Sequence, residues 1–411
     1  LRAVEALSRT LVRLGVAAAA LLLAWLSIAV TLANVMAANA PSLALRLWPG
    51  HAVAQARLAD ALVASTPQAA STAQRDQIAH AAQEAARALQ RNPTLPGPAR
   101  ILAMQAAMRG DERQADRLLE YSERMSRRDI PTQFWLLEKR VQANDVGGAL
   151  AHFGIALEVA PSTKEVLFPV LSSALSQRHL RRPIAELAHR GNSWRPEFLY
   201  YVGEHADPAS AGSLFLTLAG LGTPPSGPQL AGLVERLVNA GNLAGAARLY
   251  ALADRNWRLG DPAAQLDGAF ARTGDLPPFG WELNQNVAWR GARPDQPGNN
   301  ALLINLPESG EDWAARKLLI LAPGRYRLAG AFGVFEGAPG VLRVELACSR
   351  GGSVIAALSG GANRSAGALD GILDIPRTCA QQWLTIQASG PSSGGSAKMW
   401  LDDLRLARAA G

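Results

Sequence analysis

A 34-residue period constrains this chain more than any other feature. Between residues 77 and 187 the sequence aligns with itself at that spacing, with helix-like runs starting near Gln77, Asp111 and Asp145 and a fainter one near His179. Four places into each row sits a small residue: Ala81, Ala115, Ala149. Eight places in come Ala85, Leu119 and Phe153, and eleven places in come Ala88, Ser122 and Ala156. Two rows close on a proline, Pro93 and Pro161, and a later segment repeats the spacing as Asn242, Ala246, Tyr250 and Ala253. Residues three and four apart share one helix face, so the small positions admit a partner helix and the bulky one fills the gap beside it. A period of this length belongs to helix–turn–helix units, each with an apolar side that only a neighbouring unit covers. The competing reading is an alanine-rich helical protein in which alanine matches by chance. Repeated coincidence at one period favours the repeat.

The order small, bulky, small, proline in the second helix resembles the tetratricopeptide repeat family. That resemblance implies an α-solenoid that docks a protein partner on its concave surface. Pro183 stands where the fourth row expects alanine, and the family's first-helix signature is not recognisable. First helices are expected at 98–109, 132–143 and 163–175, the last started by the capping-box spacing of Ser162 and Glu165. Residues 66–75 read as a loop. Between 182 and 223 the period blurs around Trp194, Phe198, Tyr200 and Tyr201, which read either as core packing of irregular helices or as a ligand groove. Helices return at 229–240 and 243–253. Asp261-Pro262 should cap a short last helix running to Arg272.

Ahead of the array, residues 14–45 carry no charge, and 14–35 alone would span about 33 Å as a helix, enough for a hydrocarbon core of roughly 30 Å. The flank of Arg2, Glu5, Arg9 and Arg13 is net positive, which favours a cytoplasmic N-terminus. An uncleaved anchor and a signal peptide cut after Ala38-Asn39-Ala40 both fit. Either places the bulk of the chain outside the cytoplasm. Pro41 ends the span, and a helical hairpin over 43–63, turning at Leu47-Trp48-Pro49-Gly50, follows it.

Near Gly274 helical periodicity stops, and short alternating runs with Gly and Pro take over. Strands are expected at 301–306, 317–321, 326–331, 341–348, 367–375, 383–388 and 398–406, enough for an antiparallel β-sandwich. Leu342, Val344, Leu346 and Cys348 should share one face, with Arg343 and Glu345 on the other. The opening Phe279-Gly280-Trp281-Glu282, the turn and strand Pro323-Gly324-Arg325-Tyr326-Arg327-Leu328, and the closing Trp400-Leu401-Asp402-Asp403-Leu404 resemble jelly-roll carbohydrate-binding modules. In those modules the closing aspartate often helps hold a structural calcium, so the resemblance makes Asp402 a candidate ligand, although calcium needs six to eight oxygens. Sugar rings stack on exposed flat aromatic faces, so Trp281, Trp289, Trp313, Trp383 and Trp400 are suggestive, with Trp281, Trp313 and Trp383 the candidate sugar contacts; the alternative is that most of them are core or sheet-cover residues. Trp383 precedes the inward-alternating Leu384 and Ile386 and should point off their face.

Chemistry beyond this is sparse. The two cysteines, Cys348 and Cys379, should pair in an oxidising compartment; two separate buried thiols are the alternative. The six histidines show no metal-binding spacing, and neither a phosphate-binding loop nor a nucleophile elbow occurs. The formal net charge of +7 comes from scattered arginines without aromatic interleaving, which argues against nucleic-acid binding. No cofactor is expected apart from the possible calcium.

The expected layout is a cytoplasmic stretch at 1–13, a transmembrane helix at 14–38, periplasmic repeats at 41–274 and a sandwich at 276–408. The expected function is a non-catalytic scaffold or adaptor. It would sit in a bacterial inner membrane as a single-pass protein and serve cell-envelope polysaccharide (exopolysaccharide or O-antigen) biosynthesis, export or ligation. The repeats would hold a protein and the sandwich a glycan or protein. A periplasmic glycan hydrolase or transferase, or an assembly factor that binds no sugar, are the alternatives.

Overall fold

The computed structural model describes residues 2–65, 72–191, 193–272, 276–306, 311–338, 340–361, 367–390 and 395–409, with the backbone alone for 2–12 and Thr72. These form two compact units, 1–167 and 168–411. The expected α-then-β order, with an apolar N-terminal helix, helical hairpins and a two-sheet antiparallel sandwich, is the observed one.

The first unit holds α1 (Arg2–Met36), α2 (Pro41–Leu47), α3 (Ala52–Ala64), α4 (Thr72–Arg91), α5 (Pro96–Met108), α6 (Glu112–Met125), α7 (Ile130–Gln142) and α8 (Val146–Val159). A 3₁₀ turn, Pro161–Thr163, then leads into α9 (Lys164–Ala174), where the unit ends. The 34-residue pattern is a packing pattern. Ala81, Ala85, Ala88, Ala115, Leu119, Ser122, Ala149, Phe153 and Ala156 are all buried. The same period sets the turns. Gly110 and Asn144 take left-handed backbone, and the following Asp111 and Asp145 cap α6 and α8 by accepting the amides of Gln114 (3.0 Å) and Gly148 (2.9 Å). Arg100 ties three helices together: it bonds Asp60 of α3 at 2.5 Å and Asp129, the N-cap of α7, at 2.9 Å.

Three expectations change here. Residues 72–75 belong to α4 rather than to a loop; 66–71 lie outside the described residues. Pro41 opens α2 instead of merely closing the span, because its fixed φ suits the first helical turn. Ser162 does not cap α9. Pro161 starts the 3₁₀ turn, and Thr163 Oγ1 donates to Ala156 O and Ala160 O.

The second unit continues with α10 (Arg178–Arg190), α11 (Arg195–His205), α12 (Pro208–Gly220), α13 (Gly227–Asn239), α14 (Leu243–Ala253) and α15 (Pro262–Leu266). The stretch that blurs in sequence is three regular helices, and Pro183 sits inside α10. Trp194 and Phe198 are buried around Phe168, which decides for core packing; Tyr200 stays exposed. Ala253, the last member of the late repeat, is exposed at the helix end. The final helix stops at Leu266, well short of Arg272. Asp267 turns left-handed, and Gly268 meets the sandwich: Leu404 donates its amide to Gly268 O at 3.1 Å, and a Cβ on Gly268 would lie 1.8 Å from Leu404 O.

The sandwich comprises β1 (Glu282–Leu283), β2 (Ala288–Arg293), β3 (Gln296–Leu306), β4 (Glu311–Leu319), β5 (Gly324–Gly337), β6 (Val341–Cys348), β7 (Val354–Gly361), β8 (Gly367–Ile375), β9 (Gln382–Ser389) and β10 (Ala397–Arg408). One sheet runs β1-β4-β9-β6-β7 and the other β2-β3-β10-β5-β8, with antiparallel pairs throughout. Its core includes Leu342, Val344, Leu346, Leu384 and Ile386 from one sheet and Leu302, Leu328, Phe332 and Leu401 from the other. Leu266 and Phe270 of the helical part belong to that same core. The helix-to-sheet seam is also bonded: Gln265 exchanges hydrogen bonds with the backbone of Ile320 (3.1 and 2.8 Å), and Phe279 packs on Tyr250 and Trp257.

Candidate glycan-binding surface

The strongest candidate site is the outer face of the first sheet. On β9, Leu384, Ile386 and Ala388 face the core, while Trp383, Thr385 and Gln387 are partly exposed on the opposite side. Strand register sets their neighbours. Thr385 lies between Arg316 and Glu345, and Gln387 lies between Trp313 and Arg343. On a regular strand Trp313 and Arg316, three residues apart, would face opposite sides. A bulge between Trp313 and Ala315 inserts Ala314 and brings both to the outer face.

Arg316 is the centre of this surface. Its guanidinium forks onto Glu282 of β1, with Nε at 2.8 Å from Oε2 and Nη2 at 2.9 Å from Oε1. Those bonds raise the Arg316 pKa above its ordinary value, so the cation is fixed. The guanidinium carbon is 4.9 Å from the Trp313 ring centre and 5.3 Å from that of Trp383. Alongside, Gln387 donates to Glu345 at 3.2 Å, and Arg343 pairs with the same carboxylate at 2.6 Å. Two aromatic planes set around an oriented ion pair, next to an amide and a carboxylate, can stack the C–H face of a sugar ring and bond its hydroxyls.

The other sequence candidates fall elsewhere. Trp281 is 2% exposed. It packs on Phe270 at 5.1 Å between centroids, donates Nε1–H to Asp267 O at 3.1 Å, and lies 5.0 Å from the Lys317 ammonium. It closes one end of the core, and the little of it that is exposed borders the groove beside Trp289. Asp402 is likewise buried. Arg293 lies 3.5 Å from its carboxylate, forks onto Asp295, and stacks 3.7 Å over Trp400. A guanidinium thus partners the Asp402 carboxylate. No cluster of three metal-ligating side chains occurs among the described residues. Cys348, at the end of β6, and Cys379, before β9, form a disulfide with Cα atoms 5.5 Å apart. Closing that loop stabilises the sandwich by roughly 3–4 kcal/mol on the chain-entropy model.

Sequence reading missed Arg316 and Glu282, because 34 residues separate them and only strand pairing joins them. Trp289 is 43% exposed and lines a groove of about 570 Å³ with Pro277, Trp281, Gln285 and Arg290. Lys317, next to Arg316, is fully buried, with Nζ donating to Leu266 O at 2.8 Å; burial pushes its pKa down to about 7. Among the helices of the second unit, a polar cleft of about 370 Å³ opens between α9, α11 and α12. Ser172, Ser173, Tyr201, His205 and Asp207 line it, and Tyr201 and His205 stack at 4.3 Å.

No family model and no curated protein matches the chain. Solved structures do. One is the module TmCBM61 in complex with β-1,4-galactotriose, at 16% identity and TM-score 0.26, covering 34% of this chain and 92% of that one. A second is a CBM4 structure, at 13% identity and TM-score 0.28, covering 35% of this chain and 98% of that one. A third is YrrB, described as a TPR protein with an unusual peptide-binding site, at 12% identity and TM-score 0.25, covering 52% of this chain and 91% of that one. These likenesses are of fold alone. The chain itself is a series of helical hairpins followed by a two-sheet antiparallel sandwich.

Proposed function

We propose that this chain is a non-catalytic, single-pass scaffold of a bacterial inner membrane. Its periplasmic bulk holds an envelope polysaccharide on the sandwich and a protein partner on the helical hairpins, in the production, export or ligation of that polymer. The observation that carries the sugar-binding reading is the Trp313–Arg316–Trp383 surface. Its rings are fixed by an ion pair before any ligand arrives, so little side-chain entropy is lost on binding.

Export is supported by the disulfide and by the net-positive flank ahead of the span. The apolar segment Arg13–Met36 is long enough to cross a bilayer. An uncleaved anchor is favoured over a signal peptide by packing: Ala33 and Ala37 of that segment are buried against Ala44 and Ala54. Cleavage after Ala40 would strip the cover from α2 and α3.

The test uses the full chain in detergent against an array of bacterial envelope glycans, beside Trp313→Ala and Trp383→Ala. The wild type should retain a glycan, and each truncation should weaken it by about tenfold or more, the scale of ring stacking elsewhere. A wild type that retains none, or retention undiminished in both variants, would overturn the reading.

A further inference from the structure

The first hairpin is fastened to the end of the apolar helix. Only residues 37–40 separate Met36, the last residue of α1, from Pro41, the first of α2. Ala33, Ala37, Ala44 and Ala54 bring α1, α2 and α3 into backbone-close contact, each 3% exposed or less. A polar latch locks them further. His51, the N-cap of α3, accepts the Ala54 amide on Nδ1 at 3.1 Å, so in the neutral ring Nε2 carries the proton. That Nε2–H donates to Asn34 Oδ1 at 3.0 Å, and Asn34 Nδ2 donates to Val30 O. A polar side chain in a spanning segment is costly unless it is bonded, and here its partner is the hairpin itself.

This latch fixes where the hairpin sits. Arg13–Met36 extends about 36 Å as a helix, against a hydrocarbon core of roughly 30 Å, so Asn34 and Ala37 lie at headgroup depth. The hairpin held there exposes the residues of a membrane interface. Leu43 is 43% exposed and Trp48 37% exposed, and Arg46 is exposed one turn along α2 from Leu43. Aromatic rings and arginines at headgroup level are what an interface selects.

Resting on the uncleaved-anchor reading above, we infer that α2 and the α2–α3 turn, through Leu43, Arg46 and Trp48, form a docking surface for the periplasmic leaflet, with Arg46 meeting anionic headgroups. The occupant is lipid, because the surface continues directly from the span and the alanine contacts and the His51–Asn34 bond hold it there. The first hairpin therefore leaves the membrane in one orientation rather than on a tether.

Site-directed labelling of the full chain tests this. Both native cysteines are bonded to each other, so an introduced thiol takes a fluorophore selectively. Trp48→Cys, Leu43→Cys, Trp25→Cys in the span and Val141→Cys on α7 are labelled and reconstituted in vesicles of phosphatidylcholine and phosphatidylglycerol. Quenching by lipids brominated high on the acyl chain is compared with quenching near the bilayer centre. Labels at 43 and 48 should lose most of their emission to the shallow bromines and less to the deep ones; 25 should be quenched and 141 untouched. If 43 and 48 behave like 141 while 25 is quenched, the docking surface is refuted and the anchor stands. If 25 also escapes, the anchor falls and this inference with it.

Discussion

Arg316 and Lys317 are neighbours on β4 with opposite fates. Arg316 lies on the outer face with Glu282 to satisfy it, and stays charged. Lys317 points the other way, into the seam between the helices and the sandwich, where its ammonium finds Leu266 O and the Trp281 ring. Loss of water is the dominant cause of its lowered pKa, with Asp267 opposing, and the value falls to about 7. A lysine depressed in the folded state binds fewer protons there than in the unfolded chain between about pH 7 and its unfolded value of 10.5. Over that window its contribution to stability rises with pH. Tyr250 in the same seam is raised by burial, so above about pH 10 it acts in the opposite sense. The midpoint of thermal unfolding should therefore climb from pH 7 to pH 9. Lys317→Met, which removes the buried charge at similar volume, should flatten that climb. An unchanged slope in calorimetry of the variant would show that Lys317 does not titrate there.

At the scale of elements, the bulge in β4 decides whether the outer face carries a site. Deleting Ala314 would restore regular alternation and turn either Trp313 or Arg316 inward. Arg316 is held by Glu282, so the indole should be forced against a packed core, an overpacking cost of about 1–3 kcal/mol. The deletion should lower the unfolding midpoint and abolish glycan retention while leaving the disulfide intact, as thiol titration and the binding assay would report. The bulge also marks the limit of what the sequence makes legible. Local signals were readable: Asp111, Asp145, Asn242 and Asp261 all cap helices, and β6 and β8 match their alternating runs to the residue. Elements whose form depends on distant contacts were not. Strand β1 has two residues, β2 is Ala-Trp-Arg-Gly-Ala-Arg, and β7 ends in glycine, so none carries a clear period-two pattern. Helix α15 stops where Gly268 must approach Leu404. Half the site was visible as tryptophans; the arginine and carboxylate between them emerge only with the register.

At the scale of the molecule, the change from helical to β sequence is not a boundary of stability. Within the unit 168–411, Leu266 and Phe270 belong to the sandwich core, Lys317 bonds Leu266, and Tyr250, Trp257 and Phe279 form one aromatic cluster. Arg272 adds a bond to Asp254 at 2.5 Å. A sandwich cut free at residue 276 loses two large apolar side chains from its core and leaves Lys317 without its carbonyl. Each buried Leu or Phe side chain removed costs about 2–5 kcal/mol, a sum comparable with the whole stability of many domains. A 276–411 fragment should therefore be largely unfolded, with weak near-ultraviolet circular dichroism and rapid proteolysis. A 168–411 fragment should unfold in a single transition that includes α13–α15. If 276–411 instead melted at the same temperature as the sandwich in the longer fragment, the helical contribution would be ornamental. If the contribution is structural, the Trp313 and Trp383 surface belongs to the same cooperative unit as α13 and α14, joined to them through Leu266, Phe270 and the Tyr250–Trp257–Phe279 cluster.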